Sequence, residues 1–239
     1  MKFIAISQPT FMPWVGYFDL IDQSETYVFL DDVEFSKQSW QQRNRIPCEG
    51  DNWITMPIAK KSSHIKLNEL ALGTDVRACT KLINKVKNVY SKEKYFKLYF
   101  DEIESILFVG MQNKISLSEL NIRLIKLFLK ILDISTTLVK SSDLKLKGKR
   151  SEKLINIANY FDIANYISPP GSAEYLIEDF EIFNTSNISI WLHQYEPYPY
   201  LKDNWIPYMS ILDLIFRFGP NSKKIILAGR LPLKPFFGN

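Results

Sequence analysis

Blocks of apolar residues separated by polar turns run along the chain, and their spacing predicts the elements. FIAIS (3–7) is a short β-branched run bounded by Gln8 and Pro9, the pattern of a buried strand. Pro13 follows where a first helical turn would begin, since its missing N–H costs nothing there, and WVGYFDLIDQ (14–23) repeats apolar residues at helical spacing. TYVFLDDV (26–33) predicts a second strand. Strand, helix and strand in close succession make a βαβ unit, which implies a parallel sheet covered on its faces.

From Phe35 to Gly50 the text is polar and reads as a loop, and NWITMPI (52–58) is a third strand ended by Pro57. Residues 73–133 are helical by periodicity, with Gly110 as a break between two helices. STTLVKSS (135–142) is the fourth strand, and a helix over 151–161 follows with Ser151 as its N-cap. Strands at 165–169 and 188–195 precede a last helix at 210–219, with Ser210 as N-cap, Asp213 completing a capping box and Gly219 as the stop. The alternation predicts an α/β fold with a mostly parallel, Rossmann-like sheet. It is read as one domain over 1–239, with 73–133 a helical insertion or cover subdomain. The apolar but punctuated tail after Leu227 leaves its own packing open.

With 239 residues, of which 46% are hydrophobic, the chain can bury enough apolar surface to offset its ordering entropy. The net charge of +4 is mild and the lysines are interspersed with acids, which argues for a solvated surface and against a nucleic-acid stripe. A denser cluster, KLKGKR (145–150), reads as a charged loop before a helix or as a phosphate-binding loop through its cations Lys147, Lys149 and Arg150. Cys48 and Cys79 stand alone without CxxC spacing, so neither zinc nor a disulfide framework is signalled and a reduced cytoplasm is expected. MKFIAISQP is too short an apolar run for a secretion signal, and no stretch reaches the ~18 apolar residues of a membrane span. GxGxxG, P-loop, GxSxG and HExxH motifs are absent.

In doubly wound sheets the ligand crevice lies beyond the carboxyl ends of the strands. Gln8, Asp31, Asp32, Ser141, Ser142, Ser168, Gly171, Ser172, His193 and Tyr195 follow predicted strands and are expected along that rim. Asp31 and Asp32, with apolar residues behind them, are candidates for a base of raised pKa or for a plain turn. Arg43 and Arg45, two apart in WQQRNRI, point one way in an extended chain and either grip phosphate or pair with Asp31 and Asp32. His193, one of two histidines, is either a hydrogen-bonded strand end or a general base; His64 reads as solvent-facing. Tyr195, Tyr198, Tyr200 and Trp205, stiffened by Pro197 and Pro199, fill the core or line a pocket.

Taken in order, QPTFMPWVGYF (8–18), FLDDVEFSKQSWQQRNRI (29–46), WITMPI (53–58), YISPPGSAEYL (166–176) and the stretch YEPYPY through WIPYMSILDLIFRFGP (195–220) resemble the WbqC-like family. The LVKSSDL and GKRSEKLI segments (138–155) extend the likeness over nearly the whole chain. The family's marked positions fall on Gln8, Trp14, Tyr17, Asp31, Asp32, Lys37, Arg43, Asn44, Gly171, Tyr175, Tyr195 and Tyr200, among others; Phe11 and Leu201 depart from the pattern. The resemblance implies a bacterial polysaccharide or O-antigen protein: an N-acyltransferase moving an acyl or aminoacyl group from acyl-CoA or an acyl carrier protein to the amine of a nucleotide-linked amino sugar, with no tightly bound cofactor. On that reading His193, Asp31 and Asp32 are base candidates. Arg43, Arg45 and the KGKR loop (Lys147, Lys149 and Arg150) bind phosphate, and the turn after the first strand offers Gln8 and a helix N-terminus, with Trp14 and Tyr17 as a wall. A nucleotidyltransferase or adenylate-forming enzyme of HUP-like plan, and a non-catalytic sugar-nucleotide or carrier-protein binding module, are the alternatives.

Overall fold

Strand β1 (Ile4–Ser7) forms where the apolar run predicts it, and its pleat sends alternate residues to opposite faces of a sheet. The computed structural model of the chain describes residues 1–59, 64–171 and 173–236, the side chains of 173–175 excepted. After β1 come helix α1 (Val15–Asp22) and strand β2 (Thr26–Phe29), then a small hairpin of β3 (Arg43–Arg45) and β4 (Trp53–Thr55). Three long helices follow, α2 (Val76–Tyr90), α3 (Phe96–Gln112) and α4 (Leu117–Ile131). The chain then runs through β5 (Thr137–Lys140), α5 (Ser141–Leu144), α6 (Arg150–Tyr160) and β6 (Asn165–Ser168). It continues with α7 (Ala173–Glu178), α8 (Phe180–Thr185), β7 (Ser189–Leu192), α9 (Ile211–Phe218), α10 (Ser222–Ala228) and β8 (Lys234–Pro235).

Six strands make one sheet in the order β5-β2-β1-β6-β7-β8, parallel except for β8, which runs antiparallel on β7. The register Ile4↔Thr26 and Ile4↔Tyr166 fixes the faces. Ala5, Tyr27, Phe29 and Ile167 enter the larger core with Phe18 of α1, Phe128 of α4 and Phe216 of α9. Ile4, Ile6, Val28, Tyr166 and Ile190 enter a second core beneath Leu154 and Ile157 of α6 and Phe183 of α8. A parallel sheet has both faces apolar and needs both covers. The strand order switches between β1 and β6, with β2 and β5 added on one side and β7 on the other, so a crevice opens past the carboxyl ends of these two parallel strands.

Four local expectations are corrected. The strand at Trp53–Thr55 lies outside the main sheet and pairs antiparallel with Arg43–Arg45, a stretch that reads as loop because its outward positions are arginines. Gly110 sits inside α3, where a Cβ would stand 3.1 Å from Leu120 and Ile115 methyls; it permits close helix packing, and the break comes later, at Asn113–Ser116. Lys149, not Ser151, is the N-cap of α6, because the Ser151 hydroxyl donates instead to Asp179 Oδ2 at 2.5 Å. Ser210 does cap α9, but Asp213 turns to Arg217 and Tyr200 instead of closing a capping box. The tail packs: Phe236 lies against the second core and β8 adds to the sheet.

Phe216 is buried among Tyr90, Phe96 and Phe100 with ring centroids 5.1 to 6.4 Å away. Phe216→Ala is expected to lower stability by about 3–5 kcal/mol through lost contacts and a residual cavity, as urea denaturation would measure.

Candidate functional site

The turn between β1 and α1, Gln8–Pro13, carries two prolines and therefore more carbonyl acceptors than N–H donors. Most of it is buried, so those carbonyls need partners from elsewhere. The Asn44 amide donates to Phe11 O (3.1 Å) and Met12 O (2.8 Å), and the Asn121 amide to Pro9 O (3.0 Å) and Gln41 O (2.8 Å). Tyr17 donates its hydroxyl to Gln8 O, Ser210 donates to Met12 O, and Ile211 N donates to Pro13 O. The exposed Gln8 side chain is held by Gln41, whose Nε2 donates to Gln8 Oε1 at 2.7 Å; this leaves the Gln8 amide N–H groups to face the crevice. Gly16 is required beside the turn because a Cβ there would stand 2.2 Å from the Trp14 indole, which lies across the start of α1.

The crevice past β1 and β6 measures about 1150 Å3. Its walls are Trp14, Tyr17 and Tyr208 from the α1 side, Trp40, Asn44 and Arg45 from the hairpin side, and the first turn of α6 opposite, with Pro169 to Gly171 at the end of β6. The charged side chains on its walls are Arg45, Arg150, Lys153 and Glu178. Arg45 belongs to the hairpin, which packs in the larger core, whereas Arg150 and Lys153 lie at the start of α6 on the second. Positive charge therefore enters from both covers of the sheet. Among the described residues neither Arg45 nor Arg150 has an ion-pair partner, and Arg45 Nε is buried without a hydrogen bond.

Asp31 and Asp32 are beside this crevice but are occupied. Asp31 accepts from Ser142 N (2.9 Å) and Ser142 Oγ (2.7 Å), so it caps α5 from the end of β2. Asp32 accepts from Ser141 Oγ at 2.5 Å and pairs with Lys153. Burial pushes the Asp32 carboxyl up, but hydrogen bonds from Lys153 and Ser141 and the Lys153 charge outweigh it, and its pKa falls below the ordinary 3.8. That is opposite to the raised carboxylate the sequence leaves open. Asp32 instead fixes Lys153 on the crevice wall.

His193 lies in a separate buried network. Its Nε2 shares a hydrogen bond of 2.7 Å with Asp19 Oδ2; Arg230 Nε donates to Asp19 Oδ1 at 2.6 Å and Arg230 also grips Asp22. Tyr195 stacks on the His193 ring and stands edge-on to Trp14, supporting it from behind. Tyr200 donates to Asp213 Oδ2 at 2.5 Å, and burial followed by the Asp213 charge pushes its phenol well up.

The structure thus gathers Gln8, Trp14, Tyr17, Asn44, Arg45 and Gly171 at one crevice. His193, Asp31, Asp32, Arg43, Tyr195 and Tyr200 are placed behind its walls in bonds or ring contacts of their own. Lys37, Lys147 and Lys149 are exposed away from it. Ser172 lies outside the described residues, as does the side chain of Tyr175. Sequence reasoning missed Trp40, Lys153, Glu178 and Tyr208, and of the KGKR loop it reached the crevice only through Arg150. Arg150 and Lys153 are three apart at a helix start and so share a face, a signal the sequence did contain. No spacing connects Trp40 or Tyr208 to the crevice. Among the described residues no three His, Cys, Asp or Glu side chains gather as a metal site, and no helix is long and apolar enough to cross a membrane.

Sheet order and crevice define a doubly wound α/β protein whose open site lies at the switch point. The chain belongs to the WbqC-like protein family, whose sequence model matches residues 8–225. It is 33% identical over 226 residues to the uncharacterized protein Rv1507c of Mycobacterium tuberculosis, covering 92% of this chain and 95% of that one. No solved structure matches the chain.

Asn44→Ala strips the partner from buried Phe11 O and is expected to cost about 1–3 kcal/mol in a urea titration. Because the folded pKa of Asp32 is depressed, its contribution to stability is fully present above the ordinary carboxylate pKa and is lost as pH falls through the lower, folded one. Asp32→Asn should therefore be less stable than the parent at neutral pH, with the gap closing below pH ~3.8 as denaturation at a series of pH values would record.

Proposed function

We propose that the chain is an N-acyltransferase of surface polysaccharide biosynthesis, which holds a nucleotide-linked amino sugar in the crevice by its phosphates and acylates the sugar amine from acyl-CoA or an acyl carrier protein. Membership of the family supports this reading, and one observation carries it. Two arginines with no ion-pair partner among the described residues, Arg45 and Arg150, reach one crevice from opposite covers of the sheet, joined there by Lys153. Guanidinium forks suit a diphosphate, and the first turn of α6 adds its N–H groups and positive dipole end.

The chemistry asks mainly for positioning. The amine nitrogen attacks the thioester carbonyl carbon, the oxygen takes up negative charge near the cations and the Gln8 amide, the C–S bond breaks, and the thiolate leaves. The ammonium proton passes to Glu178, the carboxylate on the crevice wall. His193, Asp31 and Asp32 act at one remove: His193 through Tyr195 and Trp14, Asp32 through Lys153.

The strand order favours a second reading. A proline-rich turn feeding α1 at the switch point is also the plan of HUP-type nucleotidyltransferases, which would release pyrophosphate from ATP and a carboxylic acid.

Thermal-shift titration with nucleotide sugars, pyrophosphate and acyl-CoA tests the site. Arg45→Met or Arg150→Met should weaken phosphate-bearing ligands by roughly tenfold or more, the scale of one hydrogen bond to a charged group. Glu178→Gln should lower acyl transfer by roughly a hundredfold with ligand affinity retained. No stabilisation by any phosphate ligand would overturn the reading, and pyrophosphate release from ATP would favour the second one.

A further inference from the structure

The hairpin wall of the crevice carries a feature that phosphate binding does not use. Trp40 is 47% exposed although its backbone is firmly held: its carbonyl accepts from Phe11 N at 2.8 Å, and the neighbouring Gln41 side chain is engaged by both Ser36 N and Gln8. Its ring lies 5.3 Å from Trp53 at a tilt of 43°. Arg43 covers Trp53, its guanidinium 4.0 Å from the ring centroid, so that ring is already stacked. Arg45 stands 5.8 Å from both indoles, and its buried Nε has no hydrogen-bond acceptor.

We propose that Trp40 and Arg45 form the shelf on which the nucleobase of the ligand stacks, so that the crevice selects nucleoside diphosphates over simple phosphates. This rests on the phosphate-binding reading given above. Two physical points assign the occupant. A flat π-system gains on an indole face that is held in place and half open, with little ordering cost. A guanidinium beside that indole extends the stacking surface. The crevice volume of about 1150 Å3 has room for base, ribose, diphosphate and sugar together, since a pocket for a drug-sized molecule is about 300–1,000 Å3. The geometry also divides the labour: the base rests on Trp40, while Arg45 at the edge of that shelf and Arg150 and Lys153 across the crevice take the phosphates.

Calorimetric titration of the full chain with uridine, guanosine and adenosine diphosphates, and separately with pyrophosphate, tests this. At least one nucleoside diphosphate should bind about tenfold tighter than pyrophosphate, the scale of one stacked base, and Trp40→Ala should abolish that margin while pyrophosphate affinity is unchanged. Trp40→Phe, which keeps a ring and preserves the hairpin, should retain part of the margin. In the parent the diphosphate should quench tryptophan emission, and Trp40→Phe should lose the part of that quenching that comes from Trp40. If pyrophosphate binds and no nucleoside diphosphate binds more tightly, or if the margin survives in Trp40→Ala, the shelf is overturned and the phosphate site stands. If neither pyrophosphate nor any nucleoside diphosphate binds, the phosphate reading fails first, and the shelf with it.

Discussion

Carbonyl groups that must be satisfied out of reach of water decide this structure. Between β1 and α1 the chain carries two prolines and folds back beneath other elements, so its acceptors outnumber its own donors. The donors come from Asn44 on the hairpin, Asn121 on α4, Tyr17 on α1 and Ser210 at the start of α9. A buried amide of this kind is costly to leave half-paired. The turn, the hairpin, the long helices and the last third of the chain are therefore interdependent, although up to 198 residues separate the partners.

The same turn forms the floor of the crevice, and this links stability to function. Trp14 lies flat over α1 because Gly16 has no Cβ, and Tyr195 and Tyr208 brace its ring. His193, Asp19 and Arg230 anchor the segment that carries Tyr195. Groups that look reactive in isolation are thereby spent on placing other groups, while the crevice is left with two arginines, Arg45 and Arg150, that have no ion-pair partner among the described residues. Burying a carboxylate demands partners, and the Asp31 and Asp32 side chains have found them in Ser141, Ser142 and Lys153.

The carbonyl-ended strands explain why part of the site could be anticipated. Gln8 and Gly171 follow β1 and β6, and in a doubly wound sheet the ends of those two strands flank the switch point. Trp14, Tyr17 and Arg45 were anticipated as well, from the turn and from the arginine pair, and Asn44 from the resemblance to the family. The likeness in residue pattern to the WbqC-like family holds across residues 8–225. The hairpin was half legible: the apolar strand at Trp53–Thr55 shows its β-character, but its partner Arg43–Arg45 turns charged side chains outward and has no apolar alternation to betray it.

Periodicity is a local property, and it was enough to establish the α/β class, the parallel pairing and the helical middle, because each depends on which face of a short segment avoids water. Whether a charged side chain serves a ligand or the scaffold is a different kind of question. Lys147 and Lys153 are six residues apart in one basic stretch, yet the turn of α6 carries only the second to the crevice. Asp32 and Arg45 have equal claims as a pair in the linear text, and the fold gives the carboxylate to Lys153 and leaves the guanidinium open. Such choices follow from distances between elements, and those distances exist only once both cores have closed.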